Sequence, residues 1–257
     1  RGPIMLYWFF VKVLGPWARH RFSPRAFGVD NIPRRGGGII AANHLSVIDD
    51  GVIPLTSPRM VHYMGKSDYF TGKGIKGAFK KWWFTSVGVF PVDRAGGAAA
   101  EGAMNTARDI IEQGHLFGIH PEGTRSPDGR LYKAHTGAAR LALETGCPVI
   151  PTGLFGTDKI MKIGQTIPSK GTCTVIYGEP VYPPKHQEGT GLTRQEVRDF
   201  ADKISRAIQQ ITGQEYVDEY AQVVKKQMAA EAAQKAADQA KKDASAAKAE
   251  ASAEPEL

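Results

Sequence analysis

The feature that most restricts the fold is a recurrence between Gly37 and Ser169. Short apolar runs there each end in a turn-forming or polar cluster, and stretches with helical spacing separate several of them. GGIIAAN (37–43), MVHYM (60–64), VGVFPV (87–92), HLFGIH (115–120), CPVIPTGLF (147–155) and TCTVIYG (172–178) read as strands. Helices are expected over 74–84, 97–112, 135–145 and 193–212, the last opened by a capping-box pair, Thr193 and Glu196, and stopped by Gly213. Such alternation implies an α/β fold with a mixed, largely parallel sheet flanked by helices. No internal repeat is visible.

The 257 residues, 42% hydrophobic, suffice for one substantial core, expected over 29–213. Residues 214–257 form an Ala/Lys/Glu-rich tail that from Gln222 carries neither aromatics nor a sustained apolar stripe. A solvated helix or a disordered tail without chemistry is expected there. Residues 1–28 are expected to be a membrane-associating helical segment. Its stretch Ile4 to Trp17 is strongly apolar, but it contains Lys12 and is shorter than the roughly 20 residues a spanning helix needs. An interfacial helix with Trp and Tyr at headgroup level, next to Arg19, His20 and Arg21, is one reading; a helix packed on the core is the other. The apolar stretch lacks a cleavage-site pattern before Arg19, and because residue 1 is Arg the start of the chain is expected to lie upstream. Two cysteines, Cys147 and Cys173, are too few for a disulfide framework and point to a reducing compartment.

The net charge of +7 is uneven: residues 1–94 hold 14 Lys/Arg against 5 Asp/Glu, and the remainder 19 against 21. A basic first third favours anionic partners, whether nucleic acid, lipid headgroups, a phosphorylated substrate or an acidic carrier protein. Between Lys66 and Phe84, five lysines interleave with Tyr69, Phe70, Phe79, Trp82, Trp83 and Phe84, a membrane-interface composition that outweighs nucleic-acid stacking. Gly65-Lys66-Ser67 is not the end of a P-loop, because Met60 stands where its first glycine belongs.

Four segments carry candidate chemistry, the first being Asn43-His44-Leu45-Ser46-Val47-Ile48-Asp49, directly after the run Ile39 to Ala42. Five positions is not a helix-face spacing, so contact between His44 and Asp49 requires His44 in the turn and Asp49 folding back from the next helix. The carboxylate would then fix the imidazole tautomer and leave the second ring nitrogen as a base, with Asp50 pointing elsewhere. A structural pair or two surface residues are equally compatible with the spacing. The second segment, Gly88 to Arg94, ends in an arginine able to fork onto a phosphate or to pair with Asp93. The third, His120-Pro121-Glu122-Gly123-Thr124-Arg125-Ser126, offers close backbone approach at Gly123 and donors for phosphate oxygens, or an ordinary tight turn. The fourth, Val149-Ile150-Pro151-Thr152-Gly153, is apolar and fits an acyl channel or a buried strand. The histidines 20, 62, 115, 135 and 186 are scattered singly, and no metal cluster is read.

In their order and residues, these segments resemble the four sequence blocks of the glycerolipid acyltransferases of the lysophosphatidic acid acyltransferase type, over about residues 35–180. The resemblance implies His44 as general base and Asp49 as its orienting partner. It implies substrate contacts, to phosphate or glycerol, at Arg94, Glu122, Gly123, Thr124 and Arg125, with Pro151 in the fourth block and Lys66 where the family often has a phosphate-contacting lysine. His120 replaces the family's usual Phe, at a position expected to face the core.

The expected reaction moves a fatty acyl group from acyl-CoA or acyl-carrier protein to the sn-2 hydroxyl of 1-acylglycerol 3-phosphate, with no cofactor beyond that co-substrate. Other lysolipids, glycerol 3-phosphate or a glycolipid are alternative acceptors, and a lipid-binding membrane protein is the non-enzymatic one. The expected partners are the lysophospholipid acceptor, the thioester donor and an anionic membrane surface, at the cytoplasmic face of the cell membrane. No nucleic acid is expected. An acyl hydrolase lacks support, since no Gly-x-Ser-x-Gly elbow occurs.

Overall fold

The structure is a computed structural model that describes residues 11–13, 15–66, 74, 77, 89–92, 97–165, 167–185 and 191–251. The expected helix over 74–84, most of the Lys/aromatic stretch, the apolar residues 4–10 and Arg94 therefore lie outside the described residues, apart from Gly74 and Gly77.

The sheet is organised around β2 (Gly38–Ala42), whose five residues are all buried. Their side chains alternate: Ile40 and Ala42 enter one apolar cluster, Ile39 and Ala41 the other, on the opposite face. Burial on both faces is why this strand reads as an unbroken apolar run. On one side β2 pairs with β5 (Leu116–Ile119), then β3 (Val61–Lys66) and β4 (Val89–Val92). On the other it pairs with β7 (Val149–Phe155), then β8 (Thr174–Tyr177) and β1 (Arg25–Phe27). All these pairings are parallel except β7 with β8. The α/β class and the mostly parallel sheet thus agree with the sequence reading.

Helices α1 (Gly15–Phe22) and α2 (Asp49–Thr56) cover the Ile40 face with Ala18, Phe22, Val52 and Ile53. The Ile39 face is covered by α3 (Gly97–Glu112), α4 (Gly137–Thr145) and α6 (Arg194–Thr212). In α6, Phe200, Ile204 and Ile208 recur every four residues, which places one stripe against the sheet. Thr193 caps this helix: its hydroxyl accepts from the Glu196 N–H at 3.2 Å while the Glu196 carboxylate accepts from the Thr193 N–H at 2.8 Å. A short α5 (Thr157–Ile160) follows β7.

The folded unit reaches past both boundaries expected for 29–213. Of the residues expected to form the N-terminal segment, 15–27 belong to the domain, because Ala18 and Phe22 lie in the core and β1 is an edge strand of the sheet. Nor does the tail separate at Gly213, since Tyr216–Val217 (β9) pairs with Leu131–Tyr132 (β6) and Ala221, the first residue of α7 (Ala221–Ala251), is fully buried. Among the described residues, no helix is long and apolar enough to cross a membrane.

Because Thr193 is exposed, Thr193→Ala tests the α6 cap without disturbing the core. It should lower unfolding stability by about 1 kcal/mol, read as a shifted urea midpoint with an unchanged m-value. An unchanged midpoint would show that packing alone holds this helix end.

Candidate active site

Strands β2, β3, β4, β5 and β7 share one direction, so their carboxyl ends meet at one edge, where open α/β sheets place their ligands. Beyond β2 the chain leaves the sheet at Asn43, whose buried side chain continues the ladder. Its Oδ1 accepts from the Leu154 N–H at 2.7 Å, and its Nδ2 donates to the Leu154 carbonyl at 3.1 Å and to Gln214 at 3.0 Å. An asparagine here does the work of a peptide group.

His44 follows, and α2 returns Asp49 beneath it. Asp49 Oδ2 lies 2.9 Å from His44 Nδ1 and also accepts the backbone N–H groups of Leu45 at 2.7 Å and Ser46 at 2.8 Å. Asp49 is fully buried and acceptor-only when ionised, so Nδ1 carries the proton of a neutral His44 and Nε2 keeps its lone pair. The His44 side chain is 16% exposed, which leaves the ring an opening to solvent. Burial pushes its pKa below the ordinary value; the charge of His120 adds to that, and Asp49 and Asp50 oppose it. The turn is also fastened from the far side by Ser46 Oγ, which donates to the Met161 carbonyl at 2.7 Å.

The third block closes over the first. Ser126 N–H donates to the His44 carbonyl at 2.7 Å, and Glu122 accepts from the N–H groups of His44 and Tyr132, each at 3.0 Å. Burial drives the Glu122 carboxyl up to about 7, against those two hydrogen bonds. Expected among the substrate contacts, Glu122 is 1% exposed, and its oxygens hold backbone. Gly123 adopts φ +71°, and a Cβ there would stand 2.8 Å from the His135 ring. Only glycine fits this turn without strain.

Thr124 and Arg125 lie on the open side of the block. Thr124 Oγ1 accepts from Lys225 Nζ at 2.8 Å. The Lys225 ammonium is held below its ordinary pKa, by burial first and then by Arg125. Arg125 has no hydrogen bond or ion pair among the described residues. Lys225 sits on α7, in the tail to which the sequence reading gave no chemistry. That helix is anchored where Tyr220 stacks on His135 at 4.6 Å and Gln222 bonds the same ring at 3.3 Å. An Ala-rich composition gives no sign of such docking.

His120 is a second departure. Expected to face the core, its side chain is 9% exposed, and the ring stacks on His44 with centroids 3.9 Å apart and planes 9° from parallel. Asp50, expected to point elsewhere, bonds the Nε2 of His120 at 3.1 Å. Of the remaining candidates, Pro151 is buried in β7 opposite Ala41. Lys66 ends β3 at the same sheet edge as His44, and Arg94 lies outside the described residues. Among the described residues, no cluster of three metal-ligating side chains occurs.

Residues 24–154, just over half of the chain, match the family described as Acyltransferase. The chain belongs to the acyltransferase family. It is 31% identical over 157 residues to a chloroplastic 1-acyl-sn-glycerol-3-phosphate acyltransferase of Brassica napus, an alignment covering 60% of this chain and 44% of that one. With the 1-acyl-sn-glycerol-3-phosphate acyltransferase of Bacillus subtilis it shares 28% identity over 180 residues, 69% of this chain and 83% of the relative. The chain thus spans less than half the length of the plant acyltransferase. The crystal structure of the 1-acyl-sn-glycerophosphate acyltransferase of Thermotoga maritima shares the fold, with a TM-score of 0.59, 23% identity and coverage of 81% and 79%.

Proposed function

We propose that this acyltransferase moves a fatty acyl group from an acyl thioester, acyl-CoA or acyl-carrier protein, to the sn-2 hydroxyl of 1-acylglycerol 3-phosphate, giving phosphatidic acid. The observation that carries the reading is a neutral imidazole held by a buried carboxylate, one chain segment away from two cations. His44 Nε2 removes the proton of the hydroxyl as its oxygen attacks the thioester carbonyl. The tetrahedral intermediate collapses, the carbon–sulfur bond breaks, and His44 returns the proton to the departing thiolate. Asp49 holds the ring throughout and steadies the transient imidazolium. The relatives named as 1-acyl-sn-glycerol-3-phosphate acyltransferases support this acceptor. So do Arg125 and Lys225, which repel one another across Thr124 and gain a partner when an anionic phosphate binds between them.

His44→Ala should lower turnover by about 10²–10⁴-fold and Asp49→Asn by less, because asparagine still accepts from the turn but no longer steadies the imidazolium. Labelled acyl-CoA assayed against a panel of acceptors, with products resolved by mass, measures both. Near-normal turnover in His44→Ala would remove the base from the mechanism.

Arg125→Ala and Lys225→Ala should each raise the KM for the phosphate-bearing acceptor about tenfold or more, since each deletes a charge-assisted contact. A monoacylglycerol acceptor should be little affected. Equal losses with both acceptors would make these cations structural.

The acceptor and product reside in a bilayer, and we assign membrane contact to the N-terminal side of the molecule. Trp17 and Val13 are 59% and 53% exposed there, beside Arg19, His20 and Arg21. The chain should sediment with phosphatidylglycerol vesicles, more weakly in high salt and more weakly again without residues 1–13. Identical sedimentation with and without those residues would move the contact elsewhere.

A further inference from the structure

His120 faces only acceptors. Its Nδ1 lies 3.0 Å from the Ala42 carbonyl and 3.1 Å from that of Asn43, and its Nε2 lies 3.1 Å from Asp50 Oδ1. Carbonyl oxygens never donate, so Nδ1 carries hydrogen, and opposite an ionised Asp50 Nε2 carries one too, which makes the ring an imidazolium. The His44 ring is stacked flat against it at 3.9 Å. His44 has the opposite arrangement, with one nitrogen donating to Asp49 and the other without a hydrogen bond among the described residues.

We propose that His120, charged by Asp50 and stacked face to face on His44, is a positioning residue that keeps His44 in its neutral, basic form and drives its captured proton on to the leaving thiolate. The inference rests on the acyl-transfer reading and deepens it. A proton arriving on His44 places two cationic rings in contact, and in a buried setting that repulsion is screened far less than in water. His44 therefore resists protonation by solvent in mildly acidic conditions. Once it has taken the hydroxyl proton, it is also a stronger acid toward sulfur.

The surrounding titratable groups fix the sign. From α2, Asp49 and Asp50 both favour a cation on His44, and burial, with the His120 charge next in size, outweighs them. His120 itself stands at about 9, where Asp50, Asp49 and the Ala42 carbonyl overcome the cost of its burial. From the third block Glu122 faces His120, and from β3 Tyr63 stacks on it at 6.4 Å. The buried Cys173 thiol, near Asp49, is pushed up to about 11 and carries no charge at neutral pH.

The test combines the acid limb of the kcat/KM–pH profile with a 13Cε1 NMR titration of the two histidines in the full chain. Wild type should show His120 protonated at neutral pH and His44 titrating below the ordinary imidazole value. His120→Phe keeps a stacked ring and removes the charge, and Asp50→Asn keeps the ring and removes what charges it. In His120→Phe the His44 titration and the acid limb should rise together by about one pH unit, so that the rate one pH unit below the wild-type limb falls further by about tenfold; in Asp50→Asn both should rise by less, because the carboxylate that favours a cation on His44 is lost as well. An acid limb that stays in place in an active His120→Phe enzyme overturns the proposal, as does a neutral His120 in wild type. If no acyl transfer is found, the NMR titration decides the charge relation by itself, so the two readings fail separately.

Discussion

One oxygen atom organises this site. Asp49 Oδ2 receives the Leu45 and Ser46 N–H groups and the His44 ring at 2.7–2.9 Å. The two backbone bonds close the turn between the central strand and α2, and the third sets the tautomer of His44. An oxygen already taking two backbone donors has a fixed position, so the imidazole inherits the rigidity of the turn. Preorganisation of this kind spares the reaction the cost of orienting its base. The same carboxylate is fully buried, so its charge must be met at close range, and the donors that meet it are the parts that need to be held.

The rest of the edge extends the same logic to other segments. Asn43 locks the strand end to β7, the Ser126 N–H locks the third block to the His44 carbonyl, and Glu122 ties His44 to β6. Each joins residues far apart in sequence through a buried or half-buried hydrogen bond, and removing one partner of such a bond costs more than the bond's net contribution to stability, because the stranded partner has no water. The sequence blocks are therefore one object in space. Losing a contact in one loosens the geometry of the next.

What was legible in the sequence follows from range. Strands buried on both faces announce themselves as apolar runs, and α6 announces itself through its cap and its four-residue stripe. The His44–Asp49 spacing also required a turn and a returning helix. Other elements escaped for physical reasons. The edge strand Arg25–Phe27 has every residue exposed and so has no apolar run to read. Helix α2, which the spacing required only if His44 and Asp49 touch, carries Gly51 and Pro54, which weigh against a helix until tertiary packing of Val52 and Ile53 decides otherwise. The short pair β6 and β9 depends on contact between residues more than 80 positions apart. In the site, the His120 to Asp50 bond spans 70 positions and the Lys225 to Thr124 bond 101, beyond anything spacing can reveal.

Charge was the least transferable of the sequence signals. Its excess lies wholly in residues 1–94, yet the two cations that the structure brings together at the third block, Arg125 and Lys225, come from the stretch whose charges nearly cancel. Net charge sets the long-range field, which is screened over about 10 Å at ordinary ionic strength. Local affinity for a phosphate depends instead on which cations are left without a counter-charge after folding. Arg130 is paired with Asp128, Arg108 and Arg140 with Glu144, and Arg198 with Asp202, which gives each of these arginines a counter-charge. Arg125 and Lys225 have no carboxylate partner among the described residues. Folding has given several cations of a nearly neutral stretch carboxylate partners and has left Arg125 and Lys225 close enough to repel one another at the third block, and it is that couple that can select an anion.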